Sequence, residues 1–241
     1  MKARFKKLFY KTVGSTNDAI KDHLQEIQGD YVVISYHQTS GRGKDGRIWH
    51  TKAGKGIGMS FLIREPKLET VSHFTALAAI AVVRMLKKLG VESKIKWPND
   101  ILVNGKKICG ILCESSISKR KASYVIVGVG LNVNYTETDF PSLSTEPTSL
   151  YMELGKEMDI DMLSTTITDA FTGVISEFEE GKSLHSELVE YSNIIGKYCK
   201  FKQNNNYYTA IVKSINLDNS LNISENGTEK TIFSAEIIQI S

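Results

Sequence analysis

Several familiar signatures are missing from this chain. No stretch fits G-x-x-x-x-G-K-[ST], and no G-x-G-x-x-G lies between a strand and a helix, so the usual glycine-loop nucleotide motifs are excluded. Five histidines (His23, His37, His50, His73 and His185) are scattered without zinc-like spacing. No Ser-His-Asp or Cys-His set is evident, which argues against acyl-enzyme chemistry. The cysteines number three, Cys109, Cys113 and Cys199. The basic start, Met1 to Lys11, lacks an apolar leader core, so a reducing, cytoplasmic setting is expected. Cys109 and Cys113 flank an apolar stretch and read as ordinary buried thiols. No run approaches the length expected of a membrane span. A net charge of +3 is too small to argue for nucleic acid. There is no internal repeat and no low-complexity segment.

What is present suits a globular core. Hydrophobic residues are 41% and charged residues 24% of 241, enough for one large domain or one with a small appendix. Leu8 to Val13 reads as a strand. Ser15 is placed to cap a helix, with Asp18 three residues on, carrying Ala19, Ile20, Leu24 and Ile27 and ending at Gly29. Strands are expected over Tyr31–His37, Ile57–Ile63, Lys94–Trp97, Ile101–Val103, Lys106 onward and Tyr124–Leu131. Asn104-Gly105 is the strongest hairpin signal. Helices are expected over Val71–Leu89, Met162–Phe178 and a short stretch to about Ser192. Thr136 to Thr148 holds two of the four prolines and reads as a loop. After Gly196 short strands alternate with turns at Asn204-Asn205-Asn206, Asp218-Asn219 and Asn226-Gly227. The fold class is therefore α+β, a mostly antiparallel sheet with helices packed on it, followed by a small all-β appendix.

Four segments could carry chemistry. Ser40 to Trp49 packs three glycines, three cations and a Trp into one loop, which suits a polyanion beside an aromatic base. Ser15-Thr16-Asn17 begins the first helix. Lys96-Trp97-Pro98-Asn99-Asp100 sets a carboxylate before the tight hairpin, which folds Lys107 of Lys106-Lys107-Ile108-Cys109-Gly110 back to the same end of the sheet. A fifth segment, Gly128 to Asn134, ends a strand in small residues and amides. Each has a plainer reading: a helix cap, solvated lysines, a bulge, turn amides. A carboxylate and an ammonium on one hairpin, beside a glycine-and-cation loop, favour an active site for an anionic substrate.

These residues resemble the biotin–protein ligases (biotin–[acetyl-CoA-carboxylase] ligases). The resemblance rests on Ser15-Thr16-Asn17, Gln38 with Gly41-Arg42-Gly43-Lys44, Gly46-Arg47-Ile48-Trp49, Lys96 to Asp100, Lys107 with Gly110, and Gly128-x-Gly130-x-Asn132. It is strong over about residues 8–134 and looser beyond. It implies the biotin–lipoate ligase fold, similar to class II aminoacyl-tRNA synthetases, with a catalytic domain over 1–192 and an SH3-like β domain over 193–241. The implied reaction joins biotin to ATP as biotinyl-5′-AMP, then passes biotin to a lysine of a biotin carboxyl carrier protein.

The resemblance further implies that Arg42, Lys107 and Asp100 are catalytic. Arg42 would neutralise the meeting anions and order the loop, Lys107 would contact the biotin carboxylate and then the phosphate, and Asp100 would orient or deprotonate the attacking lysine. Ser15, Thr16, Asn17, Gln38, Gly41 and Gly43 would surround the ureido end of biotin. Lys44, Trp49, Gly110 and Asn132 complete the binding set, with Trp49 near the adenine. Mg²⁺ is expected with ATP, and no side chain is assigned to a metal. Lys44-Asp45 departs from the arginine that many relatives carry at the first of these positions. The pattern starts within about fifteen residues of Met1, so a monofunctional form without DNA binding is expected; the resemblance also allows a homodimer. A lipoate ligase, an octanoyl transferase using Cys109 or Cys113, and a biotin sensor are the competing readings.

Overall fold

The computed structural model describes residues 4–141, 146–203 and 206–241. Its main sheet holds β1 (Lys6–Tyr10), β2 (Tyr31–Ser35), β3 (Gly56–Arg64), β4 (Lys94–Lys96), β5 (Asp100–Val103), β6 (Lys106–Ser118) and β7 (Lys121–Asn132). The strand order is β1-β2-β3-β7-β6-β5-β4. Only β1 and β2 pair in parallel, and every other neighbour is antiparallel, as the hairpin signals predict. Asn104 and Gly105 both take positive φ at the β5–β6 turn.

Strand alternation divides the sheet into two faces. Ile57, Met59, Phe61 and Ile63 of β3 and Val125, Val127, Val129 and Leu131 of β7 point into the larger core. That face is covered by α2 (Phe74–Lys88) and α4 (Ile160–Glu179). The alanine-rich centre of α2, Ala76 to Ala81, is buried there, as expected from its small side chains. On the opposite face Leu62 and Ile126 pack against Ala19 and Ile20 of α1 (Thr16–Asp22). Beyond α1 that face carries glycines, and the site forms there.

The second sheet is β8 (Tyr198–Gln203), β9 (Asn206–Ile215), β10 (Leu221–Glu225), β11 (Thr228–Ile232) and β12 (Glu236–Ile240), antiparallel throughout and ordered β11-β10-β9-β8-β12. Its inward residues, among them Phe201, Val212 and Ile223, continue the larger core. Trp97 Nε1 donates to Asn219 O at 2.8 Å, fastening this sheet to the turn before β5. The turns at Asn219 and Asn226-Gly227 have the expected left-handed residues. The turn expected at Asn204 to Asn206 falls partly outside the described residues.

Some expectations are corrected. The first helix stops at Asp22, with His23 to Glu26 in a turn, so Leu24 and Ile27 pack from outside it. Ser15 takes the N-cap position but makes no side-chain cap bond. Asp18 accepts instead from Arg42, because a guanidinium within reach outcompetes the backbone for its carboxylate. The segment ahead of α2, Leu68–His73, is a 3₁₀ turn. The proline-bearing loop contains a 3₁₀ turn, Glu137–Asp139, closed by a Thr136–Asp139 capping box. A short helix not expected from sequence, α3 (Leu150–Leu154), follows it with Ser149 as cap. Leu68–Lys88 does reach membrane-spanning length and hydropathy by count, against expectation; the apolar residues of its α2 part are buried in the core.

Candidate active site

Three glycines set the floor. Gly58 of β3 lies opposite Gly130 of β7, which lies opposite Gly110 of β6, so a row without side chains crosses three adjacent strands. Gly128 sits one face-position further along β7. Each gap is filled by a neighbour. A Cβ on Gly58 would meet Gln38, one on Gly130 the Trp49 ring, one on Gly110 that ring at 3.0 Å, and one on Gly128 Asn17 Oδ1 at 2.6 Å. Gly58 was not singled out from sequence; its place opposite a recognised glycine is the signal that would have found it.

The polar end is one chain of hydrogen bonds. Thr16 donates to Gln38 Oε1 from both its backbone N at 2.8 Å and its hydroxyl at 3.1 Å. Gln38 Nε2 reaches Thr51 Oγ1 at 3.1 Å. The Ser60 hydroxyl lies 2.7 Å from Thr16 Oγ1 and 2.5 Å from Asn17 Oδ1. Ser15, Thr16 and Asn17 are each 3% exposed, so this hydrogen-bonded cluster is buried. Ser60 and Thr51 were missed because isolated hydroxyls carry no pattern.

The charged end depends on a bulge. Asp100 pairs with Gly110 and Ile101 with Cys109, but Leu102 pairs with Lys107, so Ile108 is the extra residue. The bulge turns Lys107 onto the face that carries Gly110, and Lys107 Cε and Nζ lie 3.2 Å from where a Gly110 Cβ would stand. Lys107 Nζ pairs with Asp100 Oδ1 at 2.6 Å and lies 5.4 Å from the Trp49 ring centre. Lys96, opposite Asp100 in the β4–β5 pairing, is pushed below the ordinary lysine range by burial, helped by Lys107 and opposed by Asp100. Cys109 points away into the core, where burial pushes its thiol far up; burial raises Cys113 to about 12. Both are inert thiols at neutral pH, as expected.

The loop from Ser40 to Trp49 closes over this floor as a small hairpin. Trp49 N donates to Gly41 O at 2.8 Å and Gly43 N to Arg47 O at 2.7 Å. Its tip, Lys44 to Gly46, makes one 3₁₀ turn with Asp45 at φ 57°. Arg42 points toward α1, and its Nη2 donates to Asp18 of that helix at 2.7 Å and to Glu114 of β6 at 2.8 Å. The tip reaches the second sheet: Lys44 Nζ lies 3.5 Å from Ala235 O, and Arg47 pairs with Glu236. Between loop, hairpin and β12 opens a cavity of about 510 Å³, lined in part by Lys44, Trp49, Lys96, Asp100, Lys107 and Asn132. Asn132 donates its amide to Thr148 O at 2.9 Å, tying the chain beyond the proline-bearing loop to the cavity wall. Of the expected site residues, Ser15, Thr16, Asn17, Gln38, Arg42, Gly43, Lys44, Trp49, Lys107 and Gly110 border the glycine trough, Asp100 and Asn132 border the larger cavity, and Gly41 lies beside a neighbouring hollow behind Trp49. Asp18, Glu114, Ser60 and Glu236 join them through the contacts above.

Carboxylates here are committed to cations: Asp18 and Glu114 to Arg42, Asp100 to Lys107. Among the described residues no three His, Cys, Asp or Glu side chains gather as a metal site. This donor set does not fit a protein-held Mg²⁺.

A Bacillus subtilis bifunctional ligase/repressor BirA is 42% identical over 131 residues, covering 53% of this chain and 40% of that protein. The chain thus spans well under two thirds of that relative's length. A biotin–[acetyl-CoA-carboxylase] ligase of Paracoccus denitrificans is 31% identical over 163 residues, 65% of this chain and 68% of that one. In fold, the biotin protein ligase from Aquifex aeolicus, solved with biotin and ATP, superposes with a TM-score of 0.81 at 24% identity, over 98% of this chain and 99% of that one. Residues 9–132 match the biotin/lipoate A/B protein ligase family, and the chain belongs to that family.

Proposed function

We propose that this protein activates biotin with ATP and transfers it to a lysine of a biotin carboxyl carrier protein. The observation that carries the reading is the Lys107–Asp100 pair, 2.6 Å apart, at the junction of the glycine trough and the larger cavity. The trough offers a buried polar end, an apolar floor and a cationic exit in that order. Biotin has a ureido head, an apolar ring and chain, and a carboxylate in the same order.

In the first step the biotin carboxylate oxygen attacks the α-phosphorus of ATP, and pyrophosphate leaves. Two anions must meet, so the site's task is to neutralise and align them. Lys107 meets the carboxylate, leaving Asp100 for it, and Arg42 covers the phosphate. Thr16, Gln38 and the 41–43 backbone hold the ureido group, with Ser15 and Asn17 beside them. The Trp49 ring, which rests on the glycine floor and leaves about 50 Å³ of the trough open, must lift to admit biotin and then roofs it next to the adenine, and Asn132 borders the adenylate. In the second step a carrier lysine attacks the acyl carbon of the mixed anhydride and AMP leaves. The amine must lose a proton, and Asp100, released by Lys107, is the acceptor at hand. A divalent cation would enter with ATP as part of that substrate. Residues 1–192 form the catalytic unit of this reading and 193–241 an accessory β unit, working in the cytoplasm.

The test is mass spectrometry of a carrier domain incubated with the protein, ATP, Mg²⁺ and either biotin or lipoate. One biotin on one lysine, dependent on ATP, is expected. Lipoate in its place would make this a lipoate ligase, and tight biotin binding without transfer would make it a sensor.

A further inference from the structure

Glu114 is an acid on the site face with no part in either chemical step. It stands four residues beyond Gly110 on β6, past the bulge, so strand alternation returns it to the face of the trough. Oε2 accepts from Asn17 Nδ2 at 2.7 Å and from Arg42 Nη2 at 2.8 Å, and Oε1 accepts from Lys21 Nζ at 2.7 Å. Asp18 takes the same Arg42 nitrogen at 2.7 Å. Both acids therefore grip one corner of the guanidinium. Among the described residues Nη1 and Nε of Arg42 make no hydrogen bond, and Arg42 borders the trough.

We propose that Glu114 is a positioning residue for adenylate formation: it fixes Arg42 by Nη2, with the rest of the fork free for the reacting anions. This rests on the adenylation reading above. An arginine carries much rotamer freedom, and a loop arginine more; a grip made before substrate arrives removes that cost from the chemical step. Lys21 balances the charge on Glu114, so the acid can hold Arg42 without leaving a buried charge unpaired. Burial raises the Glu114 carboxyl, yet hydrogen bonds from Lys21, Asn17 and Arg42 outweigh it and keep the group ionised. The link to Asn17 joins the grip to the hydroxyl chain, so Arg42 is anchored at the α1 side of the trough.

The test is biotin-dependent ATP–pyrophosphate exchange in Glu114→Gln and Asp18→Asn. Glu114→Gln should lower kcat about tenfold while the KM for biotin stays within about twofold, since alignment and not uniform binding is lost. Asp18→Asn, on the exposed side of the helix, should lower kcat in the same direction by less. A raised KM for biotin with unchanged kcat in Glu114→Gln would mean that the acid serves Asn17 and the trough, and would overturn the proposal. Should Glu114→Gln fail to fold, Asp18→Asn decides: an unchanged kcat there overturns it too. A wild-type protein without biotin-dependent exchange would instead remove the adenylation reading itself.

Discussion

At the scale of single residues the site depends on side chains that are absent. Gly130 has no room for a methyl group because the Trp49 ring occupies it. Gly130→Ala must push Trp49 off the floor, so the ring loses its seat over the trough while the strand pairing survives. We expect the KM for biotin to rise about tenfold or more, and Trp49 fluorescence to shift toward that of a wetter ring. Lys44 is the other informative position. It stands at the hairpin tip, reaching toward Ala235 O, beside an Asp45 already in left-handed backbone. Lys44→Gly removes that reach and loosens the tip, so biotinyl-AMP should escape and label bystander lysines. Mass spectrometry of a bystander protein checks this, and label confined to the carrier as in the wild type would refute it. Most of these residues were legible: glycines, a Trp and cations in one loop are conspicuous in any sequence. Glu114 was not, because an acid in a strand looks like a solvated face until the strand's phase is known. Gly110 fixes that phase, and counting onward from it would have flagged residue 114.

At the scale of elements, charge joins the helices that back the sheet. Arg84 of α2 donates to both Glu177 oxygens on α4, at 2.8 and 3.0 Å. It also donates to Glu187 on α5 (His185–Tyr191) at 2.8 and 2.6 Å. Hydrogen bonds from Arg84 first, then Lys182, hold the Glu177 carboxyl down at about 2, against an ordinary 4.5. A depressed carboxylate stabilises the fold above its unfolded value and loses that contribution as pH falls through the folded one. The melting-temperature gap between wild type and Glu177→Gln should therefore be constant above about pH 4.5 and close toward pH 2. A gap that persists unchanged at the acid end would count against the pair. Element reading from sequence was good where periodicity was strong, as in α4, and failed where a local competitor intervened. The first helix is shorter than its spacing suggests, because Leu24 and Ile27 keep helical spacing although the chain turns at His23. The bulge at Ile108 left no trace in composition, yet it aims Lys107. Sequence spacing brought Asp100 and Lys107 to one end of the sheet; only the extra residue explains their 2.6 Å contact.

At the scale of the whole molecule, a small clasp joins the second sheet to the first, on the far side of Trp97 from the cavity. Asn219 takes the Trp97 indole on its carbonyl at 2.8 Å and sends its side-chain amide to His73 Nδ1 at 3.2 Å and to Ser72 O at 3.3 Å. The His73 ring lies 5.1 Å from the Phe178 ring. An amide N–H can donate to Nδ1 only when that nitrogen is unprotonated. Burial lowers the His73 pKa from 6.5, and Asp218 nearby opposes this only in part. The unfolded chain therefore binds a proton here at a pH where the folded chain does not, and stability rises with pH across that interval. Below 6.5 the clasp should weaken progressively, then level off once the folded imidazole has also protonated. His73→Phe keeps a ring against Phe178 and deletes the titration, so it should remove this part of the slope. Thermal unfolding of both proteins from about pH 5 to 7.5 reads it directly. Because Glu236 of the same sheet and Ala235 just before it meet the loop, the clasp also bears on the site. Retention of biotinyl-AMP should weaken over the same acid range in the wild type and not in His73→Phe. If both proteins lose the adenylate equally as pH falls, the clasp does not govern how the second sheet closes the loop.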